Sequence, residues 1–193
     1  SVAALLELFP YTPRVGGLIR GGGLLGYLLT LALVRIFNQA GDHQLLTPLR
    51  RELAQVAETK LGPNHPRLAS PLFDLAACIF LQGGYDEAEP LLRRALALAE
   101  GEPELNANFV FYVLSHLATL LRDRACLDEA EVVSRRMVEL LDTPGCNPDN
   151  RPNALSKLAV VLIHQRKYVE AEELLRRALR IYEEAPEPET HCL

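Results

Sequence analysis

Three copies of one pattern, 42 and then 41 residues apart, restrict this chain to a stack of supersecondary units. Leu75-Ala76, Leu117-Ala118 and Leu158-Ala159 mark the copies, and twelve residues after each Ala stands another, Ala88, Ala130 and Ala171. Each later alanine lies inside Glu-Ala-Glu: Glu87-Ala88-Glu89, Glu129-Ala130-Glu131 and Glu170-Ala171-Glu172. An arginine pair follows, Arg93-Arg94, Arg135-Arg136 and Arg176-Arg177. A unit of this length cannot bury its apolar face alone, so neighbouring copies must cover one another.

Each copy reads as two amphipathic helices. Leu68, Leu72, Leu75, Ala76 and Ile79 recur at helical spacing, Gly83-Gly84 interrupts the run, and Leu91, Leu92, Ala95, Leu96 and Leu98 supply the stripe of a second helix. Asp86-x-x-Glu89 and Asp128-x-x-Glu131 have the form of capping boxes that start the second helices. Pro66, Pro103 and Pro152 stand where first helices begin, positions at which a missing N–H costs little. The small residues predict the packing. Ala76 should face Ala88 across the helix pair, Ala118 should face Ala130, and Ala159 should face Ala171. Glu89–Arg93, Glu131–Arg135 and Glu172–Arg176 have the spacing and order of i,i+4 ion pairs on a solvated face.

A further shift of 42 residues uncovers a worn fourth copy. Leu33-Val34 take the place of Leu-Ala, Gly41-Asp42-His43 that of Gly83-Gly84-Tyr85, and Arg51 that of Arg93. Leu46 replaces the small Ala, and Arg50 stands where other copies carry a packing residue. Residues 24–39 form an almost wholly apolar first helix that needs cover on more than one side. Residues 1–23 read as an N-terminal segment or cap, residues 24–185 as one divergent and three clear repeats, and residues 186–193 as a Pro- and acid-rich flexible tail. The chain opens on Ser1, as expected of a fragment or a processed product.

The bulk numbers exclude several classes of function. A net charge of −5 argues against nucleic acid and anionic lipid as partners. The longest apolar run, residues 21–34, falls short of the roughly 20 residues that span a bilayer. Cys78, Cys126, Cys146 and Cys192 form no C-x-x-C pair and read as reduced structural thiols in a cytoplasmic protein, with Cys78 and Cys126 inside apolar helical patterns. Gly21-x-Gly23-x-x-Gly26 has the form of a dinucleotide fingerprint, but no βαβ pattern surrounds it. His116 and His164 have no Cys or acid at ligand spacing, and no Ser, His and acid set suggests nucleophilic catalysis. The expectation is a protein without enzyme activity, cofactor or metal.

Leu75-Ala76, Gly84-Tyr85-x-Glu87-Ala88-Glu89 and Arg94-Ala95-Leu96 resemble the tetratricopeptide repeat. The long period and the link Leu61-Gly62-Pro63-Asn64-His65-Pro66 resemble its kinesin-light-chain-type variant. The resemblance spans about residues 24–185. It implies an all-α, right-handed superhelical stack of antiparallel helix pairs, whose first helices line a concave groove for a peptide or partner protein. The groove positions that it implies are Phe73, Asp74, Ala77, Phe80 and Leu81 in one copy, and Tyr112, Ser115, His116, Thr119 and Arg122 in the next. In the last copy they are Asn153, Ser156, Lys157, Val160 and His164. Repeats of that type usually carry Asn just before Leu-Ala, where this chain has Asp74, His116 and Lys157. The expected function is a scaffold for protein interaction, with self-association or a domain contact through the apolar N-terminal helix. The alternative is a regulatory repeat tail of a larger signal-transducing NTPase.

Overall fold

The structure is a computed structural model that describes Val34 and residues 43–100 and 107–184. The expectations for the apolar helix at 24–39, the Gly21-x-Gly23-x-x-Gly26 string, Pro103 and the tail at 186–193 lie outside the described residues. The described residues hold seven α-helices and no strand: α1 (His43–Leu61), α2 (Ala69–Leu81), α3 (Tyr85–Glu100), α4 (Ala107–Asp123), α5 (Leu127–Leu140), α6 (Arg151–His164) and α7 (Tyr168–Glu184). Short 3₁₀ turns at Pro66–Leu68 and Pro148–Asn150 lead into α2 and α6. The chain divides into two compact units, Ser1–Glu102 and Pro103–Leu193. In the N-terminal unit α2 packs on both α1 and α3, and in the C-terminal unit α4 packs on α5, α5 on α6 and α6 on α7.

The alanines of the three expected pairs are withdrawn from solvent: Ala76, Ala88, Ala118, Ala130, Ala159 and Ala171 are all buried. In the last pair Ala159 and Ala171 share one cluster with Leu158 and Leu162, bordered by Val138 and Leu174. Methyl groups at that position let the helix backbones of the last pair approach, and the flanking leucines fill the remaining volume.

The turn inside each pair has one backbone geometry built from three different sequences. Gly83 (φ 80°), Ala125 (φ 61°) and Arg166 (φ 63°) all occupy the left-handed region. Six-residue closures follow, in which Gly84, Cys126 and Lys167 donate their N–H to the carbonyls of Ile79, Leu121 and Leu162 at 2.9–3.0 Å. This is the glycine-type helix stop, and two copies adopt it without glycine. Gly84 answers a second demand: a Cβ there would lie 2.6 Å from Ile79 Cγ2.

The capping boxes are not formed as expected. α3 begins at Tyr85 rather than Asp86, and Cys126, which makes no side-chain cap, precedes α5. Asp86 and Asp128 instead lie within the first turns, where their charge complements the positive end of the helix dipole. Asp128 accepts a bond from Gln165 Nε2 at 3.1 Å. Cys126 is exposed beside the turn, not within an apolar pattern, whereas Cys78 is buried.

Side-chain caps do occur, at the links between repeats. His65 Nδ1 accepts from Arg67 N at 3.1 Å and Asn147 Oδ1 from Asp149 N at 3.0 Å, each starting a 3₁₀ turn on the following proline. Asn108 of α4 fastens the second link, accepting from Asn147 N at 2.6 Å and donating to Gly145 O at 3.3 Å.

The three predicted i,i+4 pairs are present at 2.9, 2.8 and 2.6 Å. The same motifs also tie one second helix to the next. Arg51 of α1 meets Glu87 of α3 at 2.6 Å, and Arg135 of α5 meets Glu170 of α7 at 2.5 Å. These pairs are equivalent under the repeat. Glu131 sits at the centre of the second network, 2.7 Å from Lys167 Nζ. Hydrogen bonds, above all from Lys167 and then from Arg135 and Gln165, hold its carboxyl down to about 2, against the opposing effect of desolvation.

Two outcomes follow. Ala130→Trp should overpack the α4–α5 contact and cost about 3 kcal/mol or more, whereas Glu131→Ala, which removes a 14% exposed carboxylate from several partners, should cost about 1–2 kcal/mol; thermal melts of the two variants compare them, and a larger loss for Glu131→Ala would place Ala130 elsewhere. Because the folded-state pKa of Glu131 is depressed, its contribution is complete above the ordinary 4.5 and disappears as pH falls toward about 2. Denaturant titrations across that window should therefore show a smaller acid loss for Glu131→Gln than for the parent chain.

Candidate functional site

The first helices carry the expected binding residues, and each unit holds its own set. On α2 the half-buried Phe73, Ala77 and Phe80 recur at i, i+4 and i+7, with Leu81 exposed beside them. The Phe80 ring lies 5.6 Å from that of Tyr85.

Asp74 has an internal partner that its sequence position does not announce. Arg50 of α1 reaches its carboxylate at 3.2 Å and also donates to its backbone carbonyl at 2.8 Å. The Arg50 side chain is 12% exposed and that of Asp74 51%. Burial pushes the Asp74 carboxyl above its usual value while Arg50 opposes the shift. Arg50 Nε is buried without a hydrogen-bond partner. The two departures from the repeat pattern, Arg at an apolar position and Asp before Leu-Ala, thus compensate each other across α1 and α2. Burial also raises the pKa of the neighbouring Cys78 thiol, in keeping with an inert side chain. A cavity of about 320 Å³ opens beside the pair, with Leu53, Val56 and Ala57 of α1 and Pro71 of α2 among its walls.

In the C-terminal unit α4 and α6 lie side by side and bring several expected residues together. Lys157 Nζ of α6 donates to Thr119 Oγ1 of α4 at 2.9 Å. The Thr119 hydroxyl in turn donates to the carbonyl of Ser115 at 2.9 Å, and Ser115 itself is buried. Arg122 is engaged by Asp123, with contacts of 2.9 and 2.6 Å. Burial weakens the hold of Lys157 on its proton, Arg122 weakens it further, and Asp123 acts in the opposite direction. His116 Nδ1 lies 2.9 Å from the carbonyl of Tyr112, an acceptor, so Nδ1 carries a proton. Burial lowers the His116 pKa, the Tyr112 carbonyl opposes this, and the Lys157 charge adds to the lowering. Tyr112 is exposed one turn earlier and touches Phe111 edge-on, with centroids 5.7 Å apart.

Asn153 and His164 are exposed near opposite ends of α6, while Ser156 and Val160 are half-buried. Motif reading named Arg50 only as a departure from the repeat, and it missed Asp123. Each neutralises or is neutralised by an expected groove residue, and only the replacement of an apolar residue by Arg50 left a trace in the sequence. Among the described residues no cluster of three or more His, Cys, Asp or Glu could hold a metal, and no helix is long and apolar enough to cross a membrane.

The Arg50–Asp74 pair has a clear test. The repeat places Arg50 at the position of Leu92, which is fully buried. Arg50→Leu should be neutral or stabilising by up to about 1 kcal/mol, because it removes a buried cation while the half-exposed Asp74 rehydrates. Arg50→Ala should destabilise by about 2 kcal/mol through the space that it leaves. Denaturant unfolding of both variants, with and without Asp74→Asn, isolates the coupling; a loss for Arg50→Leu as large as that for Arg50→Ala would contradict this reading.

Comparison with known proteins agrees with the geometry. Two models described as tetratricopeptide repeat match residues 27–101 and 153–185. No curated protein matches the chain. Among solved structures, the nearly identical TPR-like repeats of a Podosopora anserina protein named for kinesin light chain superpose with a TM-score of 0.70 at 18% identity, covering 97% of this chain and 85% of that one. BtubC (BKLC) from P. vanneervenii superposes with a TM-score of 0.63 at 18% identity, covering 96% and 89%. MamA gives 0.61 at 14% identity, covering 94% and 84%. At these identities the likeness concerns the fold. The chain is a tetratricopeptide repeat protein, and its all-α helix-pair fold is that of the kinesin-light-chain-type repeat structures.

Proposed function

We propose that this chain is a protein-interaction scaffold whose first helices hold a peptide segment that combines an aromatic or aliphatic anchor with an acidic group. The observation that carries the reading is the α4–α6 surface, where the Lys157 ammonium rests on the neutral Thr119 hydroxyl of α4, the helix that also carries the exposed Tyr112. Arg122 already has an acid, Asp123, so the unbalanced charge of the cluster is that of Lys157. A carboxylate arriving there gains a charge-assisted contact in a partly desolvated place. Tyr112 offers a large, rigid contact area at low entropic cost. Phe73, Ala77 and Phe80 on α2 offer an apolar surface of the same kind. Asp74 is the expected groove residue least suited to hold the ligand, since Arg50 already engages its side chain and its backbone carbonyl.

Two substitutions test the proposal on acidic-aromatic peptides selected from an array. Tyr112→Ala and Lys157→Glu should each weaken binding about tenfold or more without lowering the melting temperature by more than a few degrees. The salt dependence of affinity should flatten for the Lys157 variant, because a screened charge contact is gone. Affinity should also rise as pH drops below the ordinary histidine value of 6.5, since the depressed pKa of His116 delays its charging to that range. Peptides that bind with unchanged affinity to both variants would place the binding surface away from α4 and α6.

A further inference from the structure

We propose that the cavity between α1 and the first turn of α2 binds a small aliphatic monocarboxylate, with the carboxylate on Arg50 and the chain against the apolar wall. Leu53, Val56 and Ala57 follow one another along one face of α1, and Pro71 of α2 adds to the wall. The volume of about 320 Å³ lies at the lower end of the roughly 300–1,000 Å³ of small-molecule sites. Lys60, Leu61 and Ser70 also line the space and are exposed, which gives a ligand a way in from solvent. The cavity is built by the N-terminal unit alone, so the proposal does not rest on the peptide surface of α4 and α6.

Charge selects the class of ligand. Among the described residues the charged groups of the wall are Arg50, Lys60 and Asp74, two cations against one carboxylate. The contacts of Arg50 with Asp74 run through Nη1, while Arg50 Nε is buried without a hydrogen-bond partner. A buried donor on a cation is costly to leave unmade. The repeat carries Leu92, Ser134 and Leu175 at the position of Arg50, so the helix pair itself does not call for a guanidinium there. A carboxylate arriving from solvent gives Nε a charge-assisted bond and brings the wall to electrical balance. A doubly charged anion would overshoot that balance and carry more hydration into an apolar space, and a cation would meet two like charges.

The probes are octanoate and 1-octanol, which share a tail and differ in the head group, titrated into the whole chain below the micellar range and followed by calorimetry. Octanoate should bind saturably, a single molecule per chain, and at least about tenfold more tightly than 1-octanol. Arg50→Leu should lower the affinity for octanoate to that for 1-octanol. Asp74→Asn should instead raise it several-fold, because the carboxylate that competes for the guanidinium is gone; a purely structural pair would not give opposite signs. Ala57→Phe should fill the space and abolish the binding of both probes, with circular dichroism checking that the chain remains folded. Lys157→Glu should leave octanoate binding unchanged, which separates this cavity from the surface proposed for peptides. Absence of saturable octanoate binding, equal affinity for 1-octanol, or unchanged octanoate binding by Arg50→Leu would overturn the proposal. So would loss of octanoate binding in Lys157→Glu, because the anion would then sit on α4 and α6.

Discussion

The burial of a small residue on each helix of a pair is the constraint on which the repeats depend. Ala76 with Ala88, Ala118 with Ala130 and Ala159 with Ala171 are all withdrawn from solvent, and larger side chains flank them on both helices. A methyl contact allows the helices of a pair to close until the leucines interdigitate. The apolar area removed from water then stabilises the pair, at about 25 cal/mol per Å². The turn must return the chain at that short separation, which accounts for the left-handed residue at Gly83, Ala125 and Arg166. An L residue in that region is strained, so Ala125 and Arg166 show that packing overrides local preference.

Charge then links one repeat to another. Arg93, Arg135 and Arg176, which open the three Arg-Arg pairs, each serve the acid four residues before them, and Arg135 also serves Glu170 of the next Glu-Ala-Glu, as Arg51 of α1 serves Glu87. Each exposed pair adds little by itself, but a network that converges on one glutamate is harder to dissolve. The depressed pKa of Glu131 is the sign of that convergence.

The helix pairs, the buried alanines and the i,i+4 pairs were legible because each is a short-range pattern repeated three times. The turns were only partly legible: Gly83-Gly84 announces a stop, whereas Ala125-Cys126 and Arg166-Lys167 carry no such signal and share its backbone only through tertiary packing. Asp86 and Asp128 misled because their spacing to a glutamate mimics a cap although each helix begins before the acid. In the candidate site the positions on first helices could be read from the repeat, but their partners could not. Arg50 with Asp74 and Thr119 with Lys157 meet across helices, 24 and 38 residues apart in sequence. Contacts of that range follow no spacing rule. They decide what the surface offers, because one withdraws a carboxylate and the other positions an ammonium.

The proximity of the paired alanines is most directly measured by cross-linking. With the four native cysteines replaced by serine, Ala118→Cys combined with Ala130→Cys should oxidise to an intramolecular disulfide in near-quantitative yield under mild conditions, since a disulfide needs Cα atoms within about 7 Å. Ala118→Cys combined with Val132→Cys, whose exposed position on α5 points away from the contact, should remain reduced. A failure of the first variant to cross-link while folded, or equal cross-linking of both, would contradict the account of the helix pair.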